Sequence, residues 1–316
     1  MTAPAAPEPV VIGVDIGGTS IKGVLTGRDG VPRLRLDRPT PVREGVDAVV
    51  DAIVDVASRL RNAAGDDAVP VGVGLVMPGI VDPVEGIARW SANIGWRDLP
   101  IRGLVAERLG LPVTIEHDVR GAGLAEVTGG AARGRREVLY VSIGTGLAGA
   151  LITSGAVLHG AAGLAGEIGH VPVFPEGEAC ACGQRGCAEA YASAASVARR
   201  YARARGGPAV PAEVVLARAA QGDAAAHAVL DEAVVALTRM VLGVVLLADP
   251  EVVVLGGGMA AAGPALTEPV FEGLGRALAW RTPPPVIVSQ WGSDAGARGA
   301  ALLAWAAQTH GWRQVV

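Results

Sequence analysis

Asp15-Ile16-Gly17-Gly18-Thr19-Ser20-Ile21-Lys22 joins two apolar runs, 10–16 and 21–26. Short apolar runs bounded by Gly/Thr turns read as buried strands. A weaker third strand is expected near 34–36. Next, 45–62 carries apolar residues at Val46, Val49, Val50, Ile53, Val54, Ala57 and Leu60, the period of one helix face. Further along, a strand at 71–77 stops at Pro78-Gly79, and a helix at 99–109 stops at Gly110. A short strand at 112–115 then precedes a helix at 119–127. The order is β-β-β-α-β-α-β-α. The second half repeats the opening. A strand at 137–143 ends in Ser142-Ile143-Gly144-Thr145-Gly146, and strands at 148–153 and 156–159 follow. A long helical region spans 188–248. A strand at 252–255 runs into Gly256-Gly257-Gly258, and helix 264–278, strand 286–289 and helix 297–307 complete the pattern. Two α/β halves with one opening suggest duplication and two lobes facing a cleft.

The chain has 316 residues, 50% hydrophobic and 18% charged, with net charge −4. That is long enough for two cores and too apolar for a disordered chain. It lacks the basic field of a nucleic-acid binder. Three cysteines argue against a secreted disulfide scaffold. The opening MTAPAAPEPV has no basic n-region and no apolar h-region, and the apolar stretch 240–248 is too short to span a bilayer. A cytoplasmic protein with no membrane and no nucleic-acid partner is expected. The first lobe is expected over 1–118, with a C-terminal helix at about 297–316 packing back on it. The second, larger lobe is expected over 119–296.

The two Gly/Thr turns suit phosphate. Gly17 and Gly18 let the backbone approach an anion, and the turn presents N–H donors, with a hydroxyl from Thr19. Asp15, at the strand end, suits hydrated Mg²⁺, which takes one or two carboxylates plus waters and phosphate oxygens. Lys22 is the single lysine beside 26 arginines. Chance survival and a need for a compact ammonium near phosphate both remain open. Either turn alone also reads as an ordinary hairpin; the pair, with Gly144, Thr145 and Gly146 in the second half, is the stronger signal. Neither a Walker loop nor a Rossmann fingerprint is present.

All three cysteines lie in Cys180-Ala181-Cys182-Gly183-Gln184-Arg185-Gly186-Cys187, ten residues after His170. Three thiolates and an imidazole make a closed, structural Zn²⁺ site. Buried or free thiols are the alternative.

The paired turns and the β-β-β-α order resemble the sugar kinase, actin and heat-shock ATPase superfamily. That resemblance implies an α/β fold of two ribonuclease-H-like (actin-like ATPase) lobes around an interlobe cleft that holds ATP. Gly256, Gly257 and Gly258, and the stretch 292–300, resemble its nucleoside-side loops. Gly166-Glu167-Ile168-Gly169-His170, followed by Cys-x-Cys-Gly-x-x-Gly-Cys-x-Glu, closely resembles the pattern of the ROK family (repressors, open reading frames and sugar kinases). The match spans essentially the whole chain, with the zinc loop at 170–187.

The resemblance implies a catalytic base in a Glu-Asn-Asp motif, here Glu116-His117-Asp118. A carboxylate at a strand's C-terminal end can accept the proton of a sugar hydroxyl as it attacks the γ-phosphate. Asp118 also reads as the N-cap of the next helix. Glu167, Glu189 and His170 are implied as contacts to hydroxyls near the anomeric carbon, with Asn93 and the Pro78-Gly79 turn on the others. Glu189 alone reads equally as a solvated helix residue. His117 departs from the family pattern: it reshapes the pocket for another hexose or an amino sugar, marks a weak kinase kept for sensing, or turns away and packs. Arg120 is expected on a solvated face. In Gly146-Leu147-Ala148-Gly149-Ala150, bulk replaces glycines that relatives usually carry, with an expected effect on nucleotide affinity.

The expected activity is ATP-dependent phosphorylation of a hexose at the 6-hydroxyl, with glucose as default acceptor. An amino-sugar or N-acetylated hexosamine kinase, a non-catalytic sugar sensor and a polyphosphate-using kinase are the alternatives. The helix-turn-helix of the family's repressors is not expected, since the first strand starts near Val10. The resemblance also implies a homodimer or homotetramer.

Overall fold

A computed structural model describes residues 6–310. Residues 1–5, and 311–316 of the expected C-terminal helix, lie outside the described residues. The chain divides into two compact units: Met1–Ala125 with Asp294–Val316, and Glu126–Ser293. The sequence placed these divisions at 118/119 and 296/297.

The first unit is built on β1 (Glu8–Ile16), β2 (Ser20–Thr26), β3 (Pro32–Pro39), β4 (Ala68–Met77) and β8 (Val113–His117), in the order β3-β2-β1-β4-β8. β1 pairs antiparallel with β2 and parallel with β4, which pairs parallel with β8. The apolar run of β1 is central and buried on both faces. β3 is an edge, and its exposure alternates along the strand. α1 (Val46–Asn62) lays Val49, Ile53, Val56 and Leu60 into one core. α2 (Ile101–Leu109), stopped by Gly110 at φ +64°, joins that core.

α9 (Ala295–His310) covers the opposite face through Ala297, Ala300, Ala301 and Ala304. Its backbone comes so close to the sheet that a Cβ on Gly74 would overlap the Ala300 carbonyl. Only glycine admits that approach. A three-stranded sheet of β5 (Ile80–Asp82), β6 (Ile87–Trp90) and β7 (Arg97–Leu99), in a stretch to which the sequence reading assigned no element, follows Pro78-Gly79.

α3 (Asp118–Gly129) runs out of β8. The second unit repeats the first sheet: β9 (Val138–Ile143), β10 (Leu147–Thr153), β11 (Ala156–Val157), β12 (Val252–Gly256) and β13 (Val286–Val288), ordered β11-β10-β9-β12-β13. β9 and β12 are parallel. The long helical region is four helices: α4 (Glu189–Ala192), α5 (Ala194–Arg205), α6 (Ala212–Ala220) and α7 (Ala224–Ala248). Gly206 in the left-handed region ends α5. Asp223 starts α7 by accepting the N–H groups of Ala225 and Ala226 at 2.9 and 3.1 Å. α8 (Pro264–Ala277) closes a core around Val141, Leu237, Val241, Leu255 and Val270. Among the described residues no helix is long and apolar enough to cross a membrane.

Candidate active site and metal centre

Parallel strands end together, so the C-terminal ends of β1, β4 and β8 gather chemistry at one edge of the first unit. Asp15 is the next-to-last residue of β1, Pro78-Gly79 follows β4, and His117 ends β8 with Asp118 directly after it. The turn after β1 is tight: Gly17 N–H donates to Ser20 O at 2.9 Å. Thr40, which no motif marks, fastens it. Its hydroxyl donates to Gly17 O at 2.6 Å and its N–H to Thr19 O at 3.0 Å. Asn93 lies beside the turn, 3.4 Å from where a Gly18 Cβ would sit.

Lys22 lies on β2 rather than in the turn. It is opposite Asp15 on one side and Asp37 on the other, so the three side chains share one face. Burial, and then repulsion from Asp118, push the Asp15 carboxyl up to about 7, while Lys22 opposes the shift. Asp15 and Asp118 therefore sense one another, as two carboxylates gathered at a single site do.

Asp118 is fixed at the start of α3. Its Oδ1 accepts the Val119 N–H at 2.7 Å and lies 3.1 Å from His117 Nδ1. Glu116 Oε1 accepts both the His117 N–H and Arg120 Nε–H at 2.7 Å. The Glu116 and Arg120 side chains are only 4% and 2% exposed. Arg120 is thus a buried partner of Glu116, not the solvated residue the sequence suggested. The His117 side chain is 11% exposed and lies beside Asp118.

The second unit builds a separate group. In its turn, Gly144 N–H donates to Gly146 O at 3.0 Å, and Ala194 N–H at the start of α5 donates to Gly144 O at 2.8 Å. Gly257, at φ +78°, packs against the end of β9; a Cβ there would lie 2.6 Å from Ile143 O. Gly256 and Gly258 flank it, so the 256–258 turn lies next to the 144–146 turn. Glu189 is no solvated helix residue: its Oε2 accepts the Leu147 N–H at 2.9 Å, and its Oε1 lies 3.9 Å from Cys180 Sγ. Leu147 turns its side chain into the core.

His170, Cys180, Cys182 and Cys187 converge, with their donor atoms within 4.8 Å of one another. His170 Nδ1 is 3.7 Å from Cys180 Sγ, and Cys182 Sγ is 3.7 Å from Cys187 Sγ. Tetrahedral zinc, with sulfur at about 2.3 Å and nitrogen at about 2.0–2.1 Å, sets its ligand atoms about 3.5–3.8 Å apart. The donor set fits that ion. Burial pushes the Cys187 thiol up to about 12, as do its hydrogen bonds with Cys182 and Cys180; a cation is what would favour thiolates here. The other ring nitrogen, His170 Nε2, faces Glu167 Oε2 at 3.9 Å, and Glu167 is itself 42% exposed. The 166–170 segment rides on β10: Gly149 N–H donates to Gly166 O at 2.8 Å, and a Cβ on Gly169 would overlap Leu147 O.

Two sheets of order 3-2-1-4-5, each with a Gly/Thr turn between its first two strands in sequence, define the actin-like ATPase fold with ribonuclease-H-like lobes. Comparison with known proteins makes the assignment specific. Residues 11–307 match the ROK family. The chain is 35% identical to a glucokinase of Thermotoga maritima, over 94% of this chain and 98% of that one. It is 32% identical to an N-acetylmannosamine kinase of Escherichia coli, over 93% and 97%. Among solved structures, a ROK family glucokinase from Streptomyces griseus, in complex with glucose and AMPPNP, superposes with a TM-score of 0.83. That match is 30% identical and covers 94% of this chain and 99% of the other. The chain belongs to the ROK family.

Proposed function

We propose that this protein transfers the γ-phosphoryl group of ATP to a hexose, with glucose as the default acceptor and the 6-hydroxyl as its nucleophile. The observation that carries the reading is the pair of carboxylates at one strand edge: Asp118 held by Val119 N–H, with Asp15 near enough to raise its own proton affinity. The glucokinase relatives support the same chemistry.

Asp118 accepts the hydroxyl proton as the acceptor oxygen attacks, a role worth on the order of 10²–10⁴-fold. Mg·ATP, when bound, supplies the phosphoryl group and a cation that neutralises its charge. Asp15 holds the hydrated cation, and Lys22, between Asp15 and Asp37, keeps that carboxylate ionisable. N–H groups of the turns at 17–19 and 144–146 hold phosphate oxygens. The 256–258 turn lies on the nucleoside side. Most of the catalysis then comes from alignment and charge neutralisation.

Asn93, the Pro78-Gly79 turn, Glu167, His170 and Glu189 recognise hydroxyls, whose loss is costly once the partners are desolvated. Zinc on His170, Cys180, Cys182 and Cys187 would be structural, since all four positions are filled by protein. In this reading the protein works in the cytoplasm, where ATP is supplied, and self-associates as a homodimer or homotetramer.

A second reading, an amino-sugar or N-acetylated hexosamine kinase, is favoured by His117 and by the N-acetylmannosamine kinase relatives. The test is ADP release from Mg·ATP against glucose, mannose, fructose, glucosamine, N-acetylglucosamine and N-acetylmannosamine. Turnover on glucose, falling at least about 100-fold in Asp118→Asn, is the expected result. Turnover confined to an acetylated sugar selects the second reading. Sugar binding without turnover on any acceptor would sink both.

A further inference from the structure

A turn that holds phosphate has to offer N–H groups, yet the glycines of Gly17-Gly18-Thr19 leave its peptide planes free to rotate. A trans peptide unit carries its C=O and its N–H on opposite sides of one plane. Whatever fixes a carbonyl of the turn therefore also aims the next residue's N–H. A plane rotated the other way would present a carbonyl oxygen to the anion and repel it. Thr40 fixes two of these planes. Its hydroxyl donates to Gly17 O at 2.6 Å, which sends the Gly18 N–H the opposite way. Its N–H donates to Thr19 O at 3.0 Å, which does the same for the Ser20 N–H. Gly18 is exposed, and its N–H has no hydrogen-bond partner among the described residues.

Thr40 is itself held in place. Ser20 pairs with Pro39 at the end of β3, so one more residue of the same register sets Thr40 opposite Thr19. Pro39 and Pro41 flank it and have no N–H, which leaves Thr40 as the backbone donor of this stretch. Pro41 also disfavours the helical region for the residue before it. The Thr40 carbonyl accepts the Val42 N–H at 2.9 Å, and the residue is half-buried. Both of its donors are thus spent on the turn, from a backbone that is fixed on the far side.

We propose that Thr40 is a positioning residue for the 17–19 turn: it holds the Gly17 and Thr19 carbonyls back, so that the Gly18 and Ser20 N–H groups face the phosphates of the nucleotide. The inference rests on the reading of that turn as a phosphate cradle. Thr40 acts through the turn and on the phosphates alone. The nucleoside and the sugar do not depend on it. Its hydroxyl is the part that matters most, because the Gly17–Gly18 plane has no side chain to restrain it.

Calorimetry with a non-hydrolysable ATP analogue and with adenosine separates aim from mere packing. Thr40→Val keeps the shape and removes the donor. It should weaken the ATP analogue roughly 3- to 10-fold, the equivalent of one lost hydrogen bond, and leave adenosine affinity unchanged within about twofold. In turnover, the KM for ATP should rise by the same factor while the KM for sugar stays put. Thr40→Ser, which retains the hydroxyl, should restore the parent values. Thr40→Ala replaces the valine variant if that fails to fold. Undiminished affinity of Thr40→Val for the ATP analogue overturns the proposal. So does an equal loss for adenosine, which marks a general disturbance of the unit, and so does a change confined to the sugar KM. Failure of the ATP analogue to bind the parent protein refutes the phosphate reading of the turn itself, a separate outcome from any of these.

Discussion

Asp15 should make the protein less stable exactly where it is active, and the size of the effect follows from its surroundings. Its carboxyl is raised from 3.8 to about 7, first by burial and then by the neighbouring Asp118. A folded-state value above the unfolded one means that the folded chain holds the proton more tightly. The stability Asp15 contributes is then full below about pH 4 and is lost as pH rises through about 7. A shift of this size corresponds to about 4 kcal/mol. Asp15→Asn keeps the shape and abolishes the titration. The variant should therefore differ from the parent by less than about 1 kcal/mol at pH 4 and exceed it by about 4 kcal/mol at pH 8, roughly 10 °C in the transition of the first unit. Urea or thermal unfolding of both proteins in chelator, at intervals from pH 4 to 8, measures this directly. Adding Mg²⁺ and nucleotide should narrow the gap at pH 8, because a cation stabilises the ionised parent and not the amide. A gap that stays constant from pH 4 to 8 would refute the reasoning: the carboxylate would then be solvated and indifferent to Asp118.

Two further outcomes follow from the packing and the metal cluster. Metal analysis of protein prepared without chelator should find about one zinc per chain, and Cys187→Ser should lose it. Because Glu189 joins Cys180 to the N–H of Leu147, the same variant should bind an ATP analogue more weakly by calorimetry; undiminished nucleotide affinity would uncouple the two. Gly74→Ala forces a Cβ into the Ala300 carbonyl, so α9 must shift. A loss of at least about 3 kcal/mol by urea unfolding is expected, the upper end for overpacking, together with reduced turnover, since Gly296 of that helix lies against Asp15.

Much of this architecture was legible because the strands that matter most are short, apolar and punctuated by glycine. The turns at 17–19 and 144–146, the break at Pro78-Gly79 and the cysteine loop each carry a local reason to be where they are. The sheet of β5 to β7 was not legible. Its strands are three or four residues long, and Pro83, Gly86 and Gly95 between them read as loop. The region 188–248 looked continuous because alanine-rich stretches keep a helical period through the interruptions at Gly206-Gly207-Pro208 and Gly222-Asp223. Arg120 was misread because spacing shows which face a residue occupies and not whether a carboxylate four residues earlier turns back to meet it. Glu126 was missed altogether. It is fully buried and accepts hydrogen bonds from Ser289 Oγ, Ala131 N and Trp291 N at 2.6, 2.7 and 3.0 Å, partners that lie mostly far along the chain.

The placement of α9 has a consequence for how the chain is made. The sheet of the first unit emerges from the ribosome early, with Val11, Val24 and Val76 on the face that α9 will cover. The helix arrives only after the whole second unit has been synthesised, a delay on the order of 10–30 s at ordinary elongation rates. During that interval the nascent first unit displays an uncovered apolar sheet, while the second unit, contiguous in sequence, is free to fold on its own. Chaperone dependence should therefore concentrate on the part of the protein that is translated first and completed last.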